Sequence, residues 1–340
     1  MKKLLAFAAF AIVMASCNTK FEKTETGLAY KIIKGDKSEK LKPGQIVKIN
    51  GIVRLSPKDS ILFTTYGRMP VYVTIDTSSK KSHDFNEVIK FAGVGDSLVV
   101  VQQVDTLVKL GLAQYNDILK KGQQLTTSLR IIQVMANEQE QVADQTKELE
   151  KYKLREIAEV EAYLKKNNIK AEKTANGVFV EVKNAGDAAK AAPGQEVAVN
   201  YTGKLLENDK AFDSNVDTSF GHAEPFKLVI GAGKTIKGWE EGLQKFGKGG
   251  KGTLYIPSLM GYGPPGQGGT ITPYATLKFD VEVLDINTNP VQPKQEGQQM
   301  DMETLQRMLK EQQQQQGQGG QQPPQGQGGQ QQQPQGQRGN

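Results

Sequence analysis

Cysteine and histidine are almost absent from this chain, and their scarcity removes whole classes of chemistry. Cys17 is the single cysteine among 340 residues, so no disulfide can close within the chain and no thiolate pair can hold a metal. Only two histidines, His83 and His222, are present. They stand far apart in sequence, which supports neither a zinc cluster nor a Ser/His/Asp arrangement. No acidic loop has EF-hand spacing; neither a metal nor a cofactor is expected. A charge excess of one sign is also missing. Lys and Arg number 43 against 37 Asp and Glu, too even and too small a surplus for a nucleic-acid footprint. Two glycine-rich strings fail as phosphate loops. Gly231-Ala-Gly-Lys-Thr235 has Leu228 where the leading glycine should stand, and the string from Gly242 to Lys248 is followed by Gly249 in place of Ser or Thr.

Long apolar runs are confined to the start. Lys2 and Lys3 precede an apolar stretch from Leu4 to Val13, too short to span a bilayer, and Ala15 and Ser16 lead into Cys17. The spacing resembles a bacterial lipobox, which implies that 1–17 is a signal segment and that Cys17 becomes lipidated. Acyl chains would hold the protein on a membrane without spanning it, since each buried methylene adds about 0.8 kcal/mol. Asn18 lacks the aspartate that retains such proteins in the inner membrane. The expected location is therefore the cell envelope, at the outer membrane facing the periplasm, with surface exposure left open.

Glycine and proline punctuate the rest unevenly. Lys42-Pro43-Gly44-Gln45-Ile46-Val47 recurs as Ala192-Pro193-Gly194-Gln195-Glu196-Val197, a turn feeding an alternating strand both times. Each copy continues with a helix-like segment, Phe85 to Ala92 or Trp239 to Phe246, and closes on a β-rich run. A divergent tandem repeat of one α+β domain is expected, spanning 20–137 and 173–288. Between them, Asn137 to Asn168 lacks glycine and proline, and Leu149, Tyr152, Glu156, Val160 and Tyr163 recur at roughly helical spacing. A helical linker over 138–172 follows, either free-standing and solvated, packed on a domain, or paired with a second copy. The segment 289–340, rich in Gln, Gly and Pro, buries too little apolar surface to offset chain entropy and is expected to be disordered. Met300, Leu305, Met308 and Leu309 allow one short helix before it.

The most informative residues lie in the second copy. Val197, Val199 and Tyr201 alternate on one face of a strand ending in Thr202-Gly203. Ala211-Phe212-Asp213-Ser214, Pro225-Phe226, Thr235-Ile236-Lys237-Gly238-Trp239, Gly261-Tyr262-Gly263 and Leu277-Lys278-Phe279 follow. Taken singly, Trp239, Phe226 and Phe279 read as core residues and Asp213 as a turn residue. Together and in this order they resemble the signature of FKBP-type peptidyl-prolyl cis/trans isomerases, over about Thr174 to Ile286. That resemblance implies a curved antiparallel sheet wrapped on a short helix, in each of two FKBP-like domains. It also implies roles. Trp239 would floor a cavity walled by Tyr201, Phe212, Phe226 and Phe279. The Ile236 N–H and Tyr262 phenol would bind substrate carbonyls. Asp213 would couple to the Tyr201 hydroxyl, Thr235 would sit at the rim, and Ile271 on a flap. Thr235 and Thr270 depart from the family's aliphatic residues, Gly268-Gly269 from its flap, and Asn215 to Glu224 from its usual length.

The chemistry agrees with such a cavity. Turning a peptide bond meets a barrier of roughly 18–20 kcal/mol because planarity carries the resonance. The twisted amide is less polar, so an apolar enclosure disfavours the planar state more than the twisted one. In the first copy the landmarks place Ile49 at the Tyr201 position, Thr64 at Asp213, Phe63 at Phe212, Phe85 at Trp239 and Leu129 at Phe279, a scaffold stripped of the acid and both phenols. The expected function is isomerisation of X-Pro bonds in unfolded or exported proteins, with macrolide FKBP inhibitors as ligands and no cofactor. A membrane-anchored chaperone or scaffold that holds unfolded clients with little turnover is the alternative, and a homodimer is left open.

Overall fold

The structure, a computed structural model, describes residues 20–35, 39–76 and 82–287. The signal segment with Cys17, and the 289–340 tail with the helix expected near Met300, lie outside the described residues. In chain order the first domain contributes β1 (Glu22–Lys23), β2 (Ala29–Ile33), β3 (Ile46–Leu55), β4 (Ser60–Thr64), β5 (Val71–Thr74), α1 (Asn86–Ile89), β6 (Ser97–Gln103), α2 (Val104–Lys109) and β7 (Gln124–Met135). A long helix, α3 (Glu138–Lys166), comes next. The second domain contributes β8 (Glu172–Lys173), β9 (Phe179–Asn184), β10 (Glu196–Leu205), β11 (Ala211–Ser214), β12 (Phe226–Val229), α4 (Lys237–Gly242), β13 (Lys251–Ile256) and β14 (Leu277–Asn287).

The two sheets are topological twins. The first runs β1-β2-β6-β7-β3-β4 with β5 also on β3; the second runs β8-β9-β13-β14-β10-β11 with β12 also on β10. All ladders are antiparallel. The fold is α+β with two FKBP-like domains. Alternation on β10 buries Val197, Val199, Tyr201, Gly203 and Leu205 and turns their neighbours outward, the period-2 pattern that a one-sided sheet requires. Their concave face wraps α4, with Trp239, Leu243 and Phe246 packed against Leu254, Ile256, Leu277 and Phe279.

The strand registers correct the expected equivalences between the copies. Both central strands carry a register shift, between Lys48 and Ile49 in β3 and between Ala198 and Val199 in β10. Aligning these puts Gly51, not Ile49, opposite Tyr201. Gly51 pairs with Leu129 and Tyr201 with Val281; Val53 pairs with Thr127 and Gly203 with Phe279. Thr127, not Leu129, is thus the counterpart of Phe279. Likewise Phe63 replaces Asp213, and Leu62 replaces Phe212. Phe85 does stand for Trp239: the bridges Lys40 to Gly93 and Lys190 to Gly247 fix the turn that follows each helix. The two bulges fall at equivalent points, so the offset of 150 that relates Pro43 to Pro193 carries through the strand to Gly51 and Tyr201, and the expected equivalences departed from the register by one or two residues.

The helix between the sheets is packed rather than solvated. Asn137 Oδ1 accepts from Glu140 N at 2.9 Å, and Glu140 Oε2 accepts from Ala136 N at 2.9 Å, a reciprocal cap at the start of α3. On the first domain, buried Lys48 reaches Asp144 at 2.8 Å and Glu148 at 3.0 Å, and the Tyr72 hydroxyl donates to Asp144 at 2.5 Å. One turn on, Met69, Leu149 and Tyr152 pack with Leu259 and Tyr274, so both domains share one apolar cluster. Val160 and Leu164 then close on Phe179 and Tyr255 of the second domain.

Glu156 lies at the centre of this joint, 3% exposed. Its carboxylate accepts from the Tyr152 hydroxyl at 2.9 Å, Ser258 N at 3.1 Å and Leu259 N at 3.3 Å. Burial raises its carboxyl above the ordinary glutamate range, opposed by these donors. The folded joint therefore binds that proton more tightly than the unfolded chain does. Its contribution to stability is fully present below the unfolded value and is lost as pH rises through the folded one. We expect Glu156→Ala, which strands the Ser258 and Leu259 N–H groups, to cost about 3 kcal/mol in unfolding experiments. A fall in wild-type melting temperature is expected above about pH 4, and Glu156→Gln should flatten it.

Candidate active site

The site grows from a gap in the ladder. On one edge, β10 pairs with β12 over Glu196–Val199 and with β11 over Thr202–Lys204, leaving Tyr201 between them. Asn215 fills the gap: its Oδ1 accepts from Tyr201 N at 2.7 Å, and its Nδ2 donates to Val199 O and Glu224 O, each at 3.1 Å. Asn215 is buried, and this side chain fixes both ends of the connection from β11 to β12. Thr65 does the same in the first domain, accepting from Gly51 N at 2.9 Å.

Around Tyr201 the rings meet edge to face. The Trp239 centroid lies 5.0 Å from Tyr201, 5.1 Å from Phe279 and 5.5 Å from Phe226, with interplanar angles of 81°, 86° and 86°. Phe212 stands on Phe279 at 5.5 Å and 85°. Such packing sets a ring's positive edge on its neighbour's negative face and holds a rigid apolar wall. The enclosed pocket has a volume of about 460 Å³ and is lined by Tyr201, Phe212, Asp213, Phe226, Thr235, Ile236, Trp239, Tyr262 and Phe279, with Gly233, Lys234, Lys237 and Gly261 at its rim. Of the ten residues expected at the site in this domain, nine converge there. Ile271 does not line the pocket; it is buried in the core, pairing with Gln267 across the base of the flap.

Polar groups are few and specific. The Tyr201 hydroxyl donates to Asp213 Oδ2 at 2.5 Å. Burial, then the Asp213 hydrogen bond and charge, raise the Tyr201 phenol well above its ordinary range. The Tyr262 phenol is likewise raised by burial and by the Asp213 charge. Both therefore stay protonated and able to donate throughout the neutral range. Tyr262 Oη and the Ile236 N–H donate to no group among the described residues, and the Thr235 hydroxyl is buried without a partner. Ile236 caps α4 in an extended conformation, φ −63° and ψ 140°, which leaves its N–H outside the helical ladder.

Sequence reasoning missed His222. Its Nε2 lies 2.8 Å from Asp213 Oδ1 and its ring 6.4 Å from that of Tyr201. The signal was present in the unusual length of Asn215 to Glu224, which carries one of only two histidines. Asn215 was missed too, because a buried amide serving backbone groups leaves no pattern in sequence.

Gly203 sits beneath the wall, where an added Cβ would lie 2.6 Å from Phe279 Cε1 and 2.7 Å from Phe212 Cζ. Gly203→Ala must push both rings into the pocket. We expect a loss of about 1–3 kcal/mol in stability and an altered Trp239 fluorescence spectrum, which thermal melts and emission scans would register.

Comparison with known proteins fits this geometry. The family model described as FKBP-type peptidyl-prolyl cis-trans isomerase matches residues 187–284. An FK506-binding protein of Neisseria meningitidis serogroup B is 44% identical over 110 residues, 32% of this chain and 96% of that protein. FK506-binding protein 2 of Candida glabrata is 48% identical over 100 residues, 29% of this chain and 71% of that one. The peptidyl-prolyl cis-trans isomerase FPR2 of Saccharomyces cerevisiae is 43% identical over 99 residues, 29% of this chain and 70% of that one. The crystal structure of FkpA from Escherichia coli is 32% identical and covers 44% of this chain and 66% of that one, at a TM-score of 0.34, too low to bear on the fold. With the signature in place and nearly the whole of the Neisseria protein spanned, the chain belongs to the FKBP-type peptidyl-prolyl cis-trans isomerases.

Proposed function

We propose that the X-Pro bond is isomerised in the aromatic pocket of the second domain, and that the clients are exported proteins. The observation that carries the reading is the pairing of a rigid apolar wall with donors the protein leaves unused. A proline ring seated on Trp239 would place its imide among Tyr201, Phe226 and Phe279. The Ile236 N–H and the Tyr262 phenol are then free to take the carbonyls on either side. Enclosure strips water from the polar planar amide and favours the twisted form, and no bond is made or broken. Uncatalysed X-Pro exchange takes tens to hundreds of seconds, slow enough to limit folding. The names of two relatives assign FK506 binding to them; the same pocket here should accept that macrolide.

Among the described residues Asp213 is the only carboxylate in the pocket wall, and Tyr201 and His222 hold its two oxygens. Its charge biases the twisted amide electrostatically. Asp213→Asn keeps size and hydrogen-bonding capacity and removes that charge. Turnover on a short X-Pro peptide should fall several-fold, about 1 kcal/mol in barrier, while the melting temperature stays put. Unchanged turnover in the folded variant would leave a purely apolar mechanism.

Export and anchorage rest on the basic, apolar and small-residue sequence before Cys17. The envelope, at the outer membrane and facing the periplasm, is the proposed location. Cys17→Ser should yield a soluble protein or an uncleaved precursor in cell fractionation; a processed, membrane-bound variant would refute the lipid anchor.

A further inference from the structure

The first domain keeps a cavity of its own, about 430 Å³, at the same station on its sheet as the isomerase pocket. Gly51, Phe63, Phe85 and Thr127 line it, the register counterparts of Tyr201, Asp213, Trp239 and Phe279. The acid and the tyrosine are replaced by apolar surface or space, and Leu107, Leu112 and Leu119 close the far side. Most of the polar groups that remain are engaged within the domain. Thr65 Oγ1 takes the Gly51 N–H at 2.9 Å, the Gln102 amide donates to His83 O at 2.7 Å, and Asp84 accepts from Ser82 at 2.7 Å and from Asn86 N at 2.8 Å. An anionic ligand group would lose its water here and face the Asp84 carboxylate. An aliphatic or aromatic group would lose nothing.

The surroundings favour a polypeptide over a hydrocarbon. Ile61, Leu62 and Tyr66 are exposed beside the strand that supplies Phe63, and Leu110, Tyr115 and Ile118 are exposed along the segment that supplies Leu112 and Leu119. Apolar side chains at both margins suit an occupant that runs past the cavity as well as into it. β4 ends its sheet, so its outer edge offers main-chain donors and acceptors that an extended chain can pair and an acyl chain cannot. We propose that this cavity is a second, non-catalytic binding site for apolar side chains of extended, non-native polypeptide, with no requirement for proline. Held there, a client would present its X-Pro bonds to the second domain at high local concentration; this last step, unlike the binding itself, rests on the pocket at Trp239 being the isomerase site.

The test uses the full chain and a fluorescein-labelled, proline-free peptide of Leu, Phe, Ser and Thr. Saturable binding by fluorescence anisotropy is expected, weakened at least about tenfold by Ala113→Trp, which fills the cavity from its half-buried rim. Leu112→Lys, which sets a charge at the same rim, should do the same should the tryptophan variant fail to fold. Turnover on a short X-Pro peptide should be unchanged in both, while acceleration of proline-limited refolding of a whole protein should fall. Loss of short-peptide turnover in the wild type would count against the isomerase pocket alone. Three results would overturn the second site: undiminished peptide binding in both folded variants, saturable binding of decanoate but not peptide, or peptide binding that emerges only when the chain is ended after Asn287, which would make the chain's own tail the occupant.

Discussion

A buried N–H must find an acceptor, and that requirement at Tyr201 organises the second domain. The strand carrying it splits its edge between two short partners, so the N–H at the split has no ladder to join. The Asn215 amide substitutes for the missing strand and in doing so fixes where the chain leaves β11 and where it enters β12. Tyr201 is thereby aimed at Asp213, the connection holding His222 is brought over the carboxylate, and Phe226 is delivered to the rim. An unsatisfied amide at this position would cost about 1–3 kcal/mol, a large share of a domain's net stability.

The first domain meets the same requirement with Thr65 and a shorter connection, 65–70 against 215–225. One scaffold therefore supports two interiors. In the second, an edge-to-face aromatic wall surrounds a single carboxylate whose oxygens are shared between a phenol and an imidazole. In the first, Gly51 and Thr127 leave open the space that Tyr201 and Phe279 occupy, and no carboxylate replaces Asp213. Apolar enclosure is common to both; the unused phenol and a carboxylate held between a phenol and an imidazole belong to one.

The helix between the domains is part of the same system. Its Glu156 carboxylate accepts from the first two N–H groups of the turn Ser258–Met260, which leads directly into Gly261 and Tyr262. The joint that fastens the first domain to the second thus also seats the loop carrying one of the unused donors. Desolvating that carboxylate is expensive, and the cost is offset by three donors converging on it rather than by a counter-charge.

Much of this was legible in sequence because it depends on local chemistry. Alternation from Val197 to Leu205 set the inward face, the absence of glycine and proline between Asn137 and Asn168 set the helix, and the resemblance of the string from Tyr201 to Phe279 to the FKBP signature implied the pocket wall. What remained hidden depends on contacts between segments distant in sequence. Ile271 belongs to the core although its place in the string suggested a flap over the pocket. The equivalence of Thr127 with Phe279 came from the ladders, Val53 pairing with Thr127 and Gly203 with Phe279. Glu156 shared the helical spacing of Leu149, Tyr152 and Val160 but showed no partner until Ser258 and Leu259 closed over it, and His222 read as an isolated histidine until the loop folded back on Asp213. The sequence by itself determined the sheet-and-helix units and the aromatic composition of the site, since periodicity and side-chain type act over a few residues. Only the tertiary structure decided which polar groups face one another and which donors stay unused, because burial and hydrogen-bond satisfaction are properties of the packed whole.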